Sequence, residues 1–390
     1  MNLFMVSGLA IIFGILLGKL MNKFKVPAVA GYIIAGLLLG TSGFKIVTGE
    51  VIDKLSFISD FALGIIAFNI GSELNLSVIK KLGKSIFIIA FCEAFGAFLL
   101  VGSMAYFITR DIPVALILGA VSSATAPAAT VMVLKEYNAR GPLTSTLLGV
   151  VAIDDAICLM IYAVASSVAK VFINHESLTL YKVLVHPLME ISLSILVGGV
   201  LGIALAFLIK ISKRSTELLP FIVGCLLLMV GIATRYHLSP LLSCMSLGIM
   251  LTNITTNSRR AFESIEGFAP PIVAIFFTLA GARLNISLIP SIGYLGVAYL
   301  VFRMIGKIGG ACLGGTLSNA SNVVKKYIGY GLLSQVGVAV GLAIVVSREF
   351  DGSPLGSLVI TILLATTIIT EIIGPLATKN AIIKAKEANI

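Results

Sequence analysis

The sequence predicts an all-α polytopic membrane protein of about thirteen transmembrane helices, with an inverted repeat and two crossed discontinuous helices. Three observations point there. Of its 390 residues 58% are hydrophobic and 12% are charged, about half the charged share of an ordinary soluble domain. At roughly 20 residues per spanning helix, such a chain holds about a dozen spans joined by short loops. Two of its apolar runs are also interrupted in mid-course, at corresponding places in two distant triplets of spans. The longest polar stretch, Asn174 to Lys182, is too short for a long extramembrane domain, a disordered tail or a nucleic-acid surface. Residues 1–390 are therefore read as one integral membrane unit.

Apolar runs bounded by charged residues or by Pro, Gly and Asn fall at about 3–21, 27–42, 55–73, 84–108, 112–134, 144–172, 183–210, 218–235, 239–253, 264–283, 289–317, 327–347 and 355–378. The first starts without a basic segment before it, exceeds a signal h-region, and is followed by Lys19, Lys23 and Lys25. A retained span is expected. The second is rich in glycine from Gly31 to Gly43, and the eleventh carries Gly306, Gly309, Gly310, Gly314 and Gly315. Neither has a GxxxxGK[ST] pattern, so close helix packing is expected rather than phosphate binding. Cys92, Cys158, Cys225, Cys244 and Cys312 all lie inside apolar runs without metal-ligand spacing and read as small apolar residues.

The net charge of +10 is explained by topology. With the N-terminus outside, loops on the cytoplasmic side and the tail hold 18 Lys and Arg, against 8 on the other side. The positive-inside rule then predicts an outside N-terminus and a cytoplasmic C-terminus, and a multi-pass protein of the cell (inner) membrane is expected. Arg303 and Lys307 belong to neither set because they lie in the middle of the eleventh run.

An ionised side chain at a helix centre costs about 2.5–3.5 kcal/mol on insertion scales, so such residues mark a pathway or face a partner. Asp154 and Asp155 on span six, with Arg303 and Lys307 on span eleven, head that set; Asp60, Glu93, Glu190 and Glu371 are less central. Adjacent helical residues point about 100° apart, so one aspartate can pair while the other binds. At about 1.5 Å per residue the aspartates lie about 15 Å from the cytoplasmic end, level with Lys307, and Arg303 about 20 Å. Lys307 is therefore expected to be the better partner of the pair. For Arg303, Glu93 and Glu190, ordinary pairing, snorkelling or an interface position is at least as good a reading. Glu371, near Pro375, is a candidate for an access path or gate. His175, His186 and His237 are distant from this depth, so no histidine switch is expected.

Span five carries Val121 to Thr130 with Pro127 in mid-run, where the missing N–H and the ring break the helix. Span twelve carries Gly329 to Gly341, with four glycines, Ser334 and Gln335 but no proline. Spans four to six start inside and eleven to thirteen start outside, so the two triplets are related with opposite topology. Paired discontinuous helices in corresponding halves point to a binding site near the midplane.

The run from Val26-Pro27 to Gly40, the Thr125-Ala126-Pro127 break, the Asp154-Asp155 pair and Lys307 resemble bacterial sodium/proton antiporters of the cation:proton antiporter-2 family, of the NapA type. The resemblance spans nearly the whole chain. It implies an NhaA/NapA-like antiporter fold, in which a core (about 84–172 and 289–378) moves like an elevator against a dimerisation scaffold (about 1–73 and 183–283) in a homodimer. It further implies Asp155 as the principal Na⁺ ligand, Asp154 and Thr125 as further ion-binding residues, and Asp154 as the partner of Lys307. Thr125, Ala126, Pro127, Ser334 and Gln335 would form the crossing itself. The implied activity is exchange of Na⁺ or Li⁺ for H⁺ without an enzymatic step or cofactor. Release of the Lys307 proton on cation binding would make it electrogenic. Potassium-efflux relatives typically carry Gln-Asp and a nucleotide-binding tail, which this chain does not show. Electroneutral relatives place an arginine on the helix of Lys307, and here Arg303 lies four residues away on the same face. K⁺/H⁺ or mixed monovalent cation exchange, including an electroneutral form, is thus the alternative.

The chemistry agrees from below: a carboxylate in a low-dielectric site needs a proton or a cation, and competition for one site couples opposite fluxes. An intramembrane aspartyl protease needs two aspartates close enough to share a proton, on different helices. A channel would show a repeated filter or rings of charge.

Overall fold

A segment in hydrocarbon must satisfy its backbone N–H and C=O groups internally, which selects the helix for each apolar run. The computed structural model describes residues 2–23, 28–40, 42–74, 76–174, 185–212, 215–255, 258–283, 289–350 and 353–388, and among them all regular structure is helical. Val26 and Pro27, His175 and the rest of the polar stretch after Asn174 lie outside the described residues.

In chain order the helices are α1 (Leu3–Lys23), α2 (Ala28–Leu39), α3 (Gly49–Lys54), α4 (Ser56–Glu73), α5 (Leu76–Thr109), α6 (Ile112–Ser122), α7 (Pro127–Glu136) and α8 (Pro142–Ile173). They continue as α9 (His186–Ile211), α10 (Ser215–Arg235), α11 (Pro240–Ile254), α12 (Ser258–Ala282), α13 (Ile289–Leu317), α14 (Asn322–Tyr327), α15 (Gly337–Glu349) and α16 (Pro354–Lys384). Several starts are written in the sequence. Asp111 accepts from the Val114 N–H at 3.0 Å, and Ser239 from that of Leu242 at 3.3 Å. Proline occupies the first turns of α6, α8, α11 and α16, where its missing N–H is not needed.

Among the described residues, seven helices are long and apolar enough to cross a membrane, or nine if two bent pairs each count as one span. That is fewer than the thirteen expected. Four of the expected spans correspond to apolar helices of only 10–17 residues: Ala28–Leu39, Ser56–Ser72, Ile112–Ser122 and Pro240–Ile254. Helices α4 and α11 follow their apolar runs to within a residue and are short because the runs are, whereas α2 ends at Leu39 and α6 at the break after Ser122.

Two packing relations position the site. Helix α5 lies along α13 at very close range: a Cβ on Gly306 would stand 2.7 Å from the Ala97 Cα, and one on Gly310 2.3 Å from the Cys92 carbonyl oxygen. Helix α8 packs on α5 and α6. Its N-terminus is closed from afar by Glu387. The Leu143 N–H donates to Glu387 Oε1 at 2.8 Å, and the Thr144 N–H and hydroxyl both donate to Oε2 at 2.8 Å. Gly141 (φ +157°) allows this approach, since a Cβ there would lie 2.3 Å from the Glu387 carboxyl carbon. Helices α1, α2 and α12 pack together, as do α4, α9, α10 and α11.

Candidate functional site

Helix α6 stops at Ser122, and irregular backbone over Ser123–Ala126 leads to Pro127 at the start of α7. Opposite it, α14 tightens into a 3-10 turn over Ile328–Leu332, opens at Leu333–Val336 and resumes as α15, with a bend of 48° between the halves. The open segments touch. The Ala126 N–H donates to the Ser334 carbonyl at 2.9 Å, and the Thr130 hydroxyl to the Gly331 carbonyl at 2.7 Å.

Both breaks leave the carbonyl ends of their first halves without helical partners, which makes them partially negative. Arg303 fills that place. Its Nε donates to the Ser122 carbonyl at 3.1 Å and Nη1 to that of Leu333 at 2.7 Å. Nη2 donates to the carbonyls of Ala124 at 2.7 Å and Ser334 at 3.4 Å. The side chain is fully buried within the crossing. Gln335 adds a further tie, donating to the Val121 carbonyl at 2.9 Å and to the Tyr299 hydroxyl at 2.9 Å.

One turn along α13, Lys307 is equally buried and meets four oxygen groups. Its ammonium donates to the Ser123 carbonyl and, at 2.7 Å, to the Thr125 hydroxyl. Glu93 Oε2 lies 2.6 Å away and Asp154 Oδ2 3.4 Å. An ammonium has three protons, so the longest of these contacts, to Asp154, is the weakest. Asp154 was expected as the lysine's partner, but the closer carboxylate is Glu93, brought in by the glycine-lined approach of α5 to α13. Asp155 is buried beside Asp154 on α8. Cys158, one turn on, directs its thiol to the Ala120 carbonyl at 3.8 Å.

The structure thus gathers Thr125, Ala126, Asp154, Arg303, Lys307, Ser334 and Gln335 around one crossing, with Asp155 next to it. Glu371 on α16 is buried against the same crossing, facing Arg303 and the Gln335 backbone. Pro127 begins α7 as the break requires. Glu93 and Tyr299 were missed as site residues. The depth arithmetic applied to α5 would have found Glu93, nine residues from Lys84 and so about 14 Å in, near the level of Lys307.

Beyond Asp155, at the other end of α8 from Pro142, lies a cavity of about 540 Å³ lined by Asp60, Tyr162, Lys170, Glu190, His237 and Glu349 among others. Glu349 accepts from the Tyr162 hydroxyl at 2.5 Å and the Ser166 hydroxyl at 2.7 Å, and pairs with Lys170 at 2.5 Å. Arg348, at the end of α15, pairs with Asp60 of α4 and donates to the Ser56 carbonyl at 3.2 Å.

Buried carboxylates and bases around two interrupted helices, in an all-helical membrane fold, define a secondary transporter of cations. The comparisons with known proteins give the particular family. The model described as "Sodium/hydrogen exchanger, transmembrane" matches residues 8–379, and the chain belongs to that family of multi-pass cation/proton antiporters. It is 24% identical to the high-affinity Na⁺/H⁺ antiporter NhaS3 of Synechocystis, over 90% of this chain and 84% of that protein. It is 23% identical to the ammonium/H⁺ antiporter subunit AmhT of Alkalihalophilus pseudofirmus, over 88% and 84%. The fold matches the sodium proton antiporter MjNhaP1 from Methanocaldococcus jannaschii with a TM-score of 0.80 and 18% identity, over 98% of this chain and 99% of that one.

Proposed function

We propose that the protein exchanges Na⁺ or Li⁺ for protons, with Asp155 as the cation ligand and Thr125, Asp154 and Lys307 around it. One observation carries this reading. Four buried carboxylates, Glu93, Asp154, Asp155 and Glu371, stand against two buried bases, Arg303 and Lys307. In a medium that solvates charge poorly, the surplus negative charge is balanced by protons or by a cation. With Lys307 shared between Glu93 and Asp154 and Arg303 facing Glu371, the two bases do not balance the four carboxylates. A cation entering at the aspartates of α8 displaces protons, which is the coupling an antiporter needs.

The transport cycle we infer is an elevator, in which residues 84–172 and 289–378 carry the site past a dimerising scaffold of residues 1–73 and 183–283. With the N-terminus outside and the C-terminus cytoplasmic, the cavity at Glu349 faces the outside. Release of a proton from Lys307 in addition to one from an aspartate makes the exchange electrogenic. A second reading is K⁺/H⁺ or mixed monovalent cation exchange that is electroneutral. It is favoured by the shorter Lys307 contact to Glu93, because an ammonium already matched by a carboxylate keeps its proton.

The test is exchange in liposomes with an internal pH dye, under clamped voltage, with Na⁺, Li⁺ or K⁺ added outside. Na⁺-driven, voltage-dependent proton movement that vanishes in Asp155→Asn is expected. Voltage-independent exchange selects the second reading, and full activity in Asp155→Asn refutes the assignment of the ligand.

A further inference from the structure

Glu371 plays no part in the carboxylate group around Lys307; it is buried, the Gln335 backbone and Arg303 face it, and no side chain among the described residues donates a hydrogen bond of regular geometry to either oxygen. Arg303, the base that faces it, has its N–H groups directed to four backbone carbonyls. Its hydrogen bonds are spent on those carbonyls, so it faces Glu371 without bonding the carboxyl oxygens. Two more buried oxygens nearby are unpartnered among the described residues, the hydroxyls of Ser334 and Thr367. Thr367, Glu371 and Gly374 follow one another at helical spacing on α16, so they share a face. That face lies on the open segment of the second break. A Cβ on Gly374 would fall 2.0 Å from the Ser334 hydroxyl, and the Thr370 hydroxyl reaches the Gln335 carbonyl at 3.3 Å. Helix α16 is itself bent by 42° here, between Thr367 and Ile369.

Unpartnered polar atoms at this burial are rare in native proteins and call for an occupant. The donors are a carboxylate, three hydroxyls and a backbone carbonyl, all oxygen, the set preferred by hard cations. We infer that Glu371, Thr367, Thr370 and Ser334 form a second site for a monovalent cation, across the crossing from the aspartates of α8. A proton competes with the cation for Glu371. The inference rests on the proposed antiport only for the choice of cation. It gives the transported ion a station on the α16 side of Arg303, held by groups independent of Asp155.

The experiment is equilibrium binding of radioactive sodium, and of rubidium in place of potassium, to the purified full-length protein. It compares Asp155→Asn with the double variants Asp155→Asn/Glu371→Gln and Asp155→Asn/Glu371→Asp. Asp155→Asn is expected to keep a saturable component, which Glu371→Gln removes and Glu371→Asp restores. Ser334→Ala and Thr367→Val in the same background leave the charge in place and are expected to weaken that component several-fold, with unchanged elution on gel filtration. Loss of all saturable binding in Asp155→Asn, or a residual component indifferent to Glu371→Gln, overturns the second site. Wild-type transport by Asp155→Asn refutes the proposed role of Asp155 instead, so the two failures are distinguishable.

Discussion

At the scale of single residues, the decisive relation is that one ammonium faces more oxygens than it has protons. Lys307 holds the Ser123 carbonyl, the Thr125 hydroxyl and Glu93 closely, and Asp154 more loosely. Glu93→Gln is expected to turn Lys307 toward Asp154, so that the entering cation competes with the lysine. Apparent cation affinity should fall roughly 3–10-fold, equivalent to about 1 kcal/mol, with a lower unfolding midpoint, both measured on the purified protein. An unchanged affinity counts against the role given to Glu93. Asp154, Asp155 and Lys307 were legible in the sequence because an ionisable group in an apolar run is expensive wherever it points. Glu93 is expensive for the same reason, but the sequence does not say which helix lies against it. Arg303 was visible as a charge and not as a clamp, since its partners are backbone carbonyls that exist only once two distant helices have opened.

At the scale of elements, the break at Pro127 was readable from a single residue, whereas the second break rests on glycines, a 3-10 turn and the Arg303 bonds together. Arg303→Lys retains the charge but reaches fewer carbonyls. Each charge-assisted bond lost costs about 1.5–3 kcal/mol, and exchange in liposomes should drop at least tenfold, with Lys307 and both aspartates untouched. Activity within twofold of wild type would mean that the crossing holds without the clamp. The α5–α13 pair gives a second test. Gly310→Ala places a methyl 2.3 Å from the Cys92 carbonyl oxygen and 2.8 Å from the Glu93 Cα, which forces the helices apart. Overpacking of this kind typically costs about 1–3 kcal/mol, and the variant should unfold earlier and bind cations more weakly. Gly309→Ala, where nothing lies within 4 Å, is the matched control and should behave as wild type. Most helix bounds were legible, those of α13 to the residue, and the exceptions are where the backbone turns inside an apolar run, as after Leu39 and Ser122.

At the scale of the whole molecule, the bonds between helices of the crossing and those around them govern how the parts can move. Arg348 at the end of α15 pairs with Asp60 on α4, and Arg283, just past the end of α12, donates to the Ser347 hydroxyl at 3.1 Å. Any displacement of α15 past α4 breaks these contacts. A short bifunctional thiol reagent joining Asp60→Cys to Arg348→Cys should arrest exchange while leaving cation binding at equilibrium intact. Continued turnover of the bridged protein would mean that α15 does not slide past α4. The proposed division into two moving parts stands or falls with that result.

The cap on α8 has a consequence in time. The helix bearing both aspartates receives its last three hydrogen bonds at Pro142's end from a residue 243–244 positions further along the chain. At about 5–20 residues per second of synthesis, α8 waits roughly 12–50 s in the bilayer before Glu387 has been made. During that interval its first amides are open to any passing acceptor, so a ribosome stalled anywhere before Glu387 leaves a membrane-inserted chain whose central helix is marked as unfinished at its exposed end.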